Sequence, residues 1–143
     1  MNGILRGLTE HGAETDPASE DHRLKGRTYT IPFEDVWTAA FRLAAGGLRG
    51  WSLHAADDQE GVIEGKAKPL LFGRDCGVRV EIGLDENAQT RVDVQSACEG
   101  KRGDFGRSRR TIGRFFRALD RALDVKPGQI LDPLSAPAWL EPR

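Results

Sequence analysis

Cysteine is scarce in this chain: two residues in 143, Cys76 and Cys98. That excludes a four-cysteine zinc site and a scaffold held by many bridges. Long apolar runs are missing as well. Nothing approaches the roughly 18 consecutive apolar residues that span a bilayer, so no transmembrane helix is expected. The opening MNGILRGLTEHGAE has no apolar h-region and no small-residue cleavage site. No signal peptide is read from it, and the cytoplasm is the expected compartment. The three histidines (His11, His22, His54) are scattered. HExxH, CxxC, GxSxG and GxxxxGK[ST] patterns are all lacking, so no catalytic residue, metal or cofactor is expected and the chain reads as a non-enzyme.

What is present fits one soluble domain. Apolar residues make up 38% and charged residues 30%, and the length allows one core but not two. Residues 1–26 are polar and read as a flexible arm. Residues 125–143 hold four of the seven prolines and read as an extended tail, in which Trp139 and Leu140 look like an anchor. Between them, residues 27–124 form the expected domain.

Its elements follow from periodicity. TYTIPFEDVWTAAFRLAAGG reads as a short strand, then a helix with Pro32 at its first position and Glu34 and Asp35 in the electropositive first turn. Phe33, Val36, Trp37, Ala40, Phe41 and Ala44 lie on one helical face, and Gly46-Gly47 ends it. Trp51, Leu53 and Ala55 alternate, as do Ile63, Gly65 and Ala67, with DDQEG as the turn between them. Cys76, Val78, Val80, Ile82 and Leu84 alternate against Val92, Val94, Ser96 and Cys98 across a DENAQT turn, the clearest period of two in the chain. A last helix runs from near Asp104 to near Leu123. The order β-α-β-β-β-β-α predicts an α+β domain: an antiparallel sheet of four to five strands with two helices on one face. The other face carries mixed charges, among them Glu64, Lys66, Arg79, Glu81, Arg91 and Asp93, with His54 and Gln95. It has no ring on which a base could stack, which argues against single-stranded RNA recognition.

Charge is distributed unevenly. Residues 101–121 hold eight Lys/Arg and two Asp, a local net of +6, so the remainder sums to −7 within a total of −1. At 100° per residue, Phe105, Ile112, Phe115, Phe116, Leu119, Ala122 and Leu123 fall within about 120°, whereas Arg107, Arg110, Arg114, Arg117 and Arg121 fall within about 80° on the opposite side. The rings therefore face inward and the arginines outward. Without Asn, Gln or free rings, such a flank cannot read base sequence, and any nucleic-acid contact would be non-specific. Each neighbouring arginine pair destabilises the helix by about 0.2–0.5 kcal/mol. The flank is either solvated or relieved by an anionic partner. Lys101 and Arg102, among Gly100, Gly103 and Gly106, extend the basic set, while Asp104 is the expected N-cap rather than part of a phosphate loop.

Other candidates carry weaker chemistry. If Ile82 pairs with Val92, then Cys76 pairs with Cys98; without an export signal, reduced core thiols are the expectation. Asp57, Asp58 and Glu60 read as a solvated hairpin tip without the spacing of a calcium loop. His54 has no nucleophile or carboxylate tied to it by a motif.

The stretch from about Tyr29 to Leu123 resembles the DUF1499 family of bacterial and plastid proteins. VW at 36–37, GVIEGKAK at 61–68, FGRD at 72–75 and VDVQSACEGKRGDFGRSRRTIGRFF at 92–116 carry the likeness. Val92, Asp93, Val94, Ser96, Asp104, Gly106 and Ile112 match the family pattern. Gln95, Cys98, Glu99, Lys101, Ser108 and Thr111 depart from it, which implies a remodelled polar region. The resemblance implies the fold and no defined activity.

The functional expectation is an accessory or scaffold domain in which Arg107, Arg110, Arg114, Arg117 and Arg121, with Lys101 and Arg102, face an acidic protein partner or larger assembly, strapped by tails that include Trp139 and Leu140. Peripheral contact with acidic lipids stays open. The alternative is a small-molecule or lipid-binding module with an apolar pocket near Trp37, Phe41, Trp51 and Phe116.

Overall fold

The computed structural model describes residues 12–14, 26–68, 75–98 and 104–131, with 12–14, 98 and 104–107 as backbone only. Strands are β1 (Gly12–Glu14), β2 (Arg27–Tyr29), β3 (Trp51–Asp57), β4 (Val62–Ala67), β5 (Cys76–Leu84) and β6 (Thr90–Cys98); helices are α1 (Phe33–Arg42) and α2 (Asp104–Ala122). β3 to β6 form an antiparallel meander. β1 and β2 lie end to end along the free edge of β6, β1 against residues 95–97 and β2 against residues 90–92. The sheet is thus five strands wide. Both helices pack on one face, as expected for the α+β class. The strand β1 falls inside the segment read from sequence as an arm.

The alternation in β5 and β6 sets the core. Val78, Val80, Ile82, Val92 and Val94 are buried beneath the helices, and Ile82 pairs with Val92 and Cys76 with Cys98. Leu84 departs from the pattern: at the strand end it is 61% exposed. From α1, Val36 and Ala40 enter the core, followed by Ala44 just past the helix end, whereas Phe33, Trp37 and Phe41 stack along the helix flank, half-buried. Pro32 sits one position earlier than expected, as the residue before the helix, and its carbonyl accepts from Val36 N–H at 3.2 Å. After Arg42 the chain widens into one π-type turn, residues 43–47, which Gly46 ends at φ +123°.

Sequence alternation fails in β3. The register shifts between Leu53 and Ala55, a bulge that places the extra residue His54 there. Leu53 faces Gly65 on the helix side, but Ala55 faces Glu64 on the outer side. The bulge turns the rest of this edge strand over, so Trp51, Leu53 and Ala55 do not share a face.

The packed domain also continues past residue 124. Val125 and Ile130 are buried in the core. Leu131 N–H donates to the Thr28 carbonyl at 2.8 Å, and Thr30 N–H to the Gln129 carbonyl at 2.9 Å. This return segment covers the open side of β2.

Candidate functional site: an arginine flank on the second helix

α2 crosses the sheet over β6. Ile112, Phe115 and Leu119 are fully buried, and Phe116 nearly so; each contributes about 1.5–3 kcal/mol by leaving water. Phe115 stacks on Trp51 at 5.1 Å between ring centres and meets Phe116 edge-on at 6.1 Å. Trp51 and Phe116, which the sequence offered as pocket walls, are therefore core residues. Three clefts lined by described residues lie elsewhere. One of about 400 Å³ runs between α1 and the end of α2, beside Asp35, Thr38, Arg42 and Leu123. Two that share Glu60, Val62 and Arg79 open on the outer sheet face, with volumes of about 290 and 420 Å³.

Beside the apolar arc, α2 carries a buried polar anchor that the sequence reading missed. The Asp120 carboxylate, 1% exposed, accepts a hydrogen bond from the Tyr29 hydroxyl at 2.7 Å and pairs with the Arg27 guanidinium. The same guanidinium lies 4.8 Å above the Phe116 ring. Burial first, and the Asp120 charge second, push the Tyr29 phenol well above its ordinary value. Arg27 and Tyr29 stand two apart on a strand and so share its inner face. That spacing, with Asp120 four residues after Phe116, is the only trace in the sequence. The anchor ties α2 to β2 and fixes the helix in rotation.

Fixed this way, α2 turns its arginines to solvent. Arg110, Arg117 and Arg121 are exposed and Arg114 is half-buried. Among the described residues none of the four makes a hydrogen bond or ion pair. The side chain of Arg107, and Lys101, Arg102, Trp139 and Leu140 altogether, lie outside the described residues, as does the capping role of Asp104.

The outer sheet face is different in kind. Arg79 bridges Glu64 at 3.2 Å and Glu81 at 2.8 Å, and Arg91 pairs with Asp93 at 3.0 Å. Glu64, one of the mixed charges read onto this face, is 1% exposed with Arg79 as its partner. These cations are internally neutralised, and no group of metal-ligating side chains assembles among the described residues. Cys76 is disulfide-bonded, in place of the free thiol expected, and its register partner Cys98 is the chain's other cysteine. Thr111 on α2 lies against its sulfur at 3.8 Å.

No described helix is long and apolar enough to cross a membrane. Compared with known proteins, the chain matches no family model and no curated protein.

Proposed function

We propose that this is an accessory domain that docks an acidic protein surface on the outer flank of α2, with Arg110, Arg114, Arg117 and Arg121 as the contact and Arg107, Lys101 and Arg102 extending it. One observation carries the reading. On the outer sheet face Arg79 and Arg91 are held by carboxylates, with Lys66 left exposed, whereas Arg110, Arg114, Arg117 and Arg121 line up on one helix with no carboxylate partner among the described residues. A rigid row of guanidinium groups on an anchored helix suits carboxylate recognition. Phe115 and Phe116 of α2 are spent in the core, and the described flank carries no ring with which to stack on bases. Likeness to DUF1499 enters as a proposal on the matching residues from Val92 to Ile112. As for compartment, a disulfide at Cys76 favours an oxidising one over the cytoplasm, where the pair would stand reduced.

The test is binding of a labelled glutamate-rich peptide, a DNA duplex and anionic vesicles to wild type and to a variant with Arg110, Arg114, Arg117 and Arg121 changed to Glu. The reading expects peptide binding that the variant loses. Equal peptide binding by both proteins overturns it. Preference for DNA with a steep salt slope makes the flank a general polyanion contact instead.

A further inference from the structure

Where the acidic residues sit narrows the partner. The register places the tight turns of the meander at one end of the sheet: Asp57 pairs with Val62, Val62 with Glu81, and Leu84 with Thr90. Asp57, Asp58 and Glu60 crowd the β3–β4 turn, and Asp85 and Glu86 the β5–β6 turn. The start of α1, with Glu34 and Asp35, is held at the same end by the Thr90 hydroxyl donating to the Ile31 carbonyl at 2.6 Å. Residues 30–35, 57–61 and 85–89 contain no Lys or Arg. Asp57 and Asp85 cap their own turns by accepting from backbone N–H groups of Gln59 and Glu60, and of Asn87 and Gln89. The side chains of Glu34, Asp35, Asp58, Glu60 and Glu86 are exposed and have no partner among the described residues.

We infer that the acidic surface taken up by the α2 flank is the turn end of a second copy of this chain. The inference rests on the flank being an acidic-surface site and adds which surface it takes. One molecule carries an unpaired cationic row and an unpaired anionic end, and among its described residues the two do not meet. The dimensions agree. From Arg110 to Arg121 the row is about 16 Å long at 1.5 Å per residue. The two acidic turns sit about two strand spacings apart, roughly 10 Å, within reach of one row. The contact is heterologous: each copy uses its flank on one neighbour and its turn end on the other, so association runs on as a chain or closes as a ring. Being charge-driven, it weakens as salt shortens the screening length.

Sedimentation velocity tests this with three proteins: wild type, a flank variant (Arg110→Glu, Arg117→Glu, Arg121→Glu) and an end variant (Asp58→Lys, Glu60→Lys, Glu86→Lys). Wild type is expected to associate at about 0.01 M salt, where the screening length is about 30 Å, and to be monomeric at about 1 M, where it is about 3 Å. Each variant alone is expected to be monomeric at both. Mixed one to one at low salt, they are expected to form a dimer and nothing larger, because each retains one half of the contact. Monomeric wild type at low salt overturns the inference, as does association that both variants retain or a mixture that stays monomeric. The glutamate-rich peptide separates the two readings. If the end variant binds it while wild type does not self-associate, the flank remains an acidic-surface site and its partner is another protein.

Discussion

Tyr29 is the only tyrosine in the chain, so its ionisation can be followed by ultraviolet absorbance without interference from another phenol. In the folded protein the hydroxyl is fully buried and donates to Asp120 at 2.7 Å. Ionising it would strip a phenolate of water and set it against that carboxylate, which is why its pKa stands well above 10.0. The sign of the stability effect follows. Above about pH 10 the unfolded chain releases the phenolic proton and the native state keeps it, so the native state binds more protons and stability falls as pH rises. At about pH 11 the unfolded state has gained about 1.4 kcal/mol in this way. Tyr29→Phe removes the titration and the hydrogen bond together. Near neutral pH it should cost about 2 kcal/mol, the range for a hydrogen bond to a charged group. By about pH 11 the gap between wild type and variant should close to about 0.6 kcal/mol. Urea unfolding at several pH values measures the gap, and absorbance on the folded protein gives the phenol directly. A tyrosinate signal with its midpoint near pH 10 in protein that circular dichroism shows folded would refute the buried network, and so would a gap that does not change with pH.

Asp120→Ala should be more damaging than Tyr29→Phe, by about 3–5 kcal/mol against wild type in urea, since it leaves the Arg27 guanidinium buried beside Phe116 without its carboxylate. The triple replacement Arg27→Met, Tyr29→Phe, Asp120→Leu should cost less than Asp120→Ala alone, because no orphaned charge remains. Cys76→Ser should lower stability by about 3 kcal/mol, the closure entropy of the loop from 76 to 98, or roughly 10 °C in Tm. Differential scanning calorimetry reads this, and mass after alkylation without reductant confirms that wild type holds no free thiol.

The legible and the illegible parts of this fold divide along physical lines. The pairing of β5 with β6 could be read because one short turn fixes the register and alternation marks the buried face from Val78 to Ile82 and from Val92 to Val94. The α2 wheel could be read because helical periodicity is local: Ile112, Phe115, Phe116 and Leu119 declare the core side, and the arginines take what is left. Three features needed contacts that no local pattern carries. The Asp120 anchor joins residues far apart in the chain, and a lone Asp beside an apolar arc looks like any surface carboxylate. The bulge at His54 adds one residue to β3 without changing its composition, yet it moves Ala55 to the other face. Ile130 lies in a proline-bearing stretch with no strand period, and it joins the sheet because β2 leaves backbone groups open at Thr28 and Thr30. The burial of Glu64 belongs with these, since it depends on Arg79 one strand away.

The candidate site shows the same division and explains why it can be separated from the fold. A row of like charges works against its own helix, so α2 must be held by something else. The stacked rings of Trp51 and Phe115, the Phe116 contact with Arg27 and the Asp120 anchor all lie on the inner arc. None involves Arg110, Arg114, Arg117 or Arg121. Folding is therefore carried by one side of the helix, while on the other side Arg110, Arg114, Arg117 and Arg121 make no hydrogen bond or ion pair among the described residues for charge reversal to break. If the flank served only to solubilise, a mixed-sign surface would do so without mutual repulsion along the helix. Under the reading proposed above, the single-sign row and the acidic turn end, neither paired among the described residues, are the two halves of one electrostatic contact between molecules.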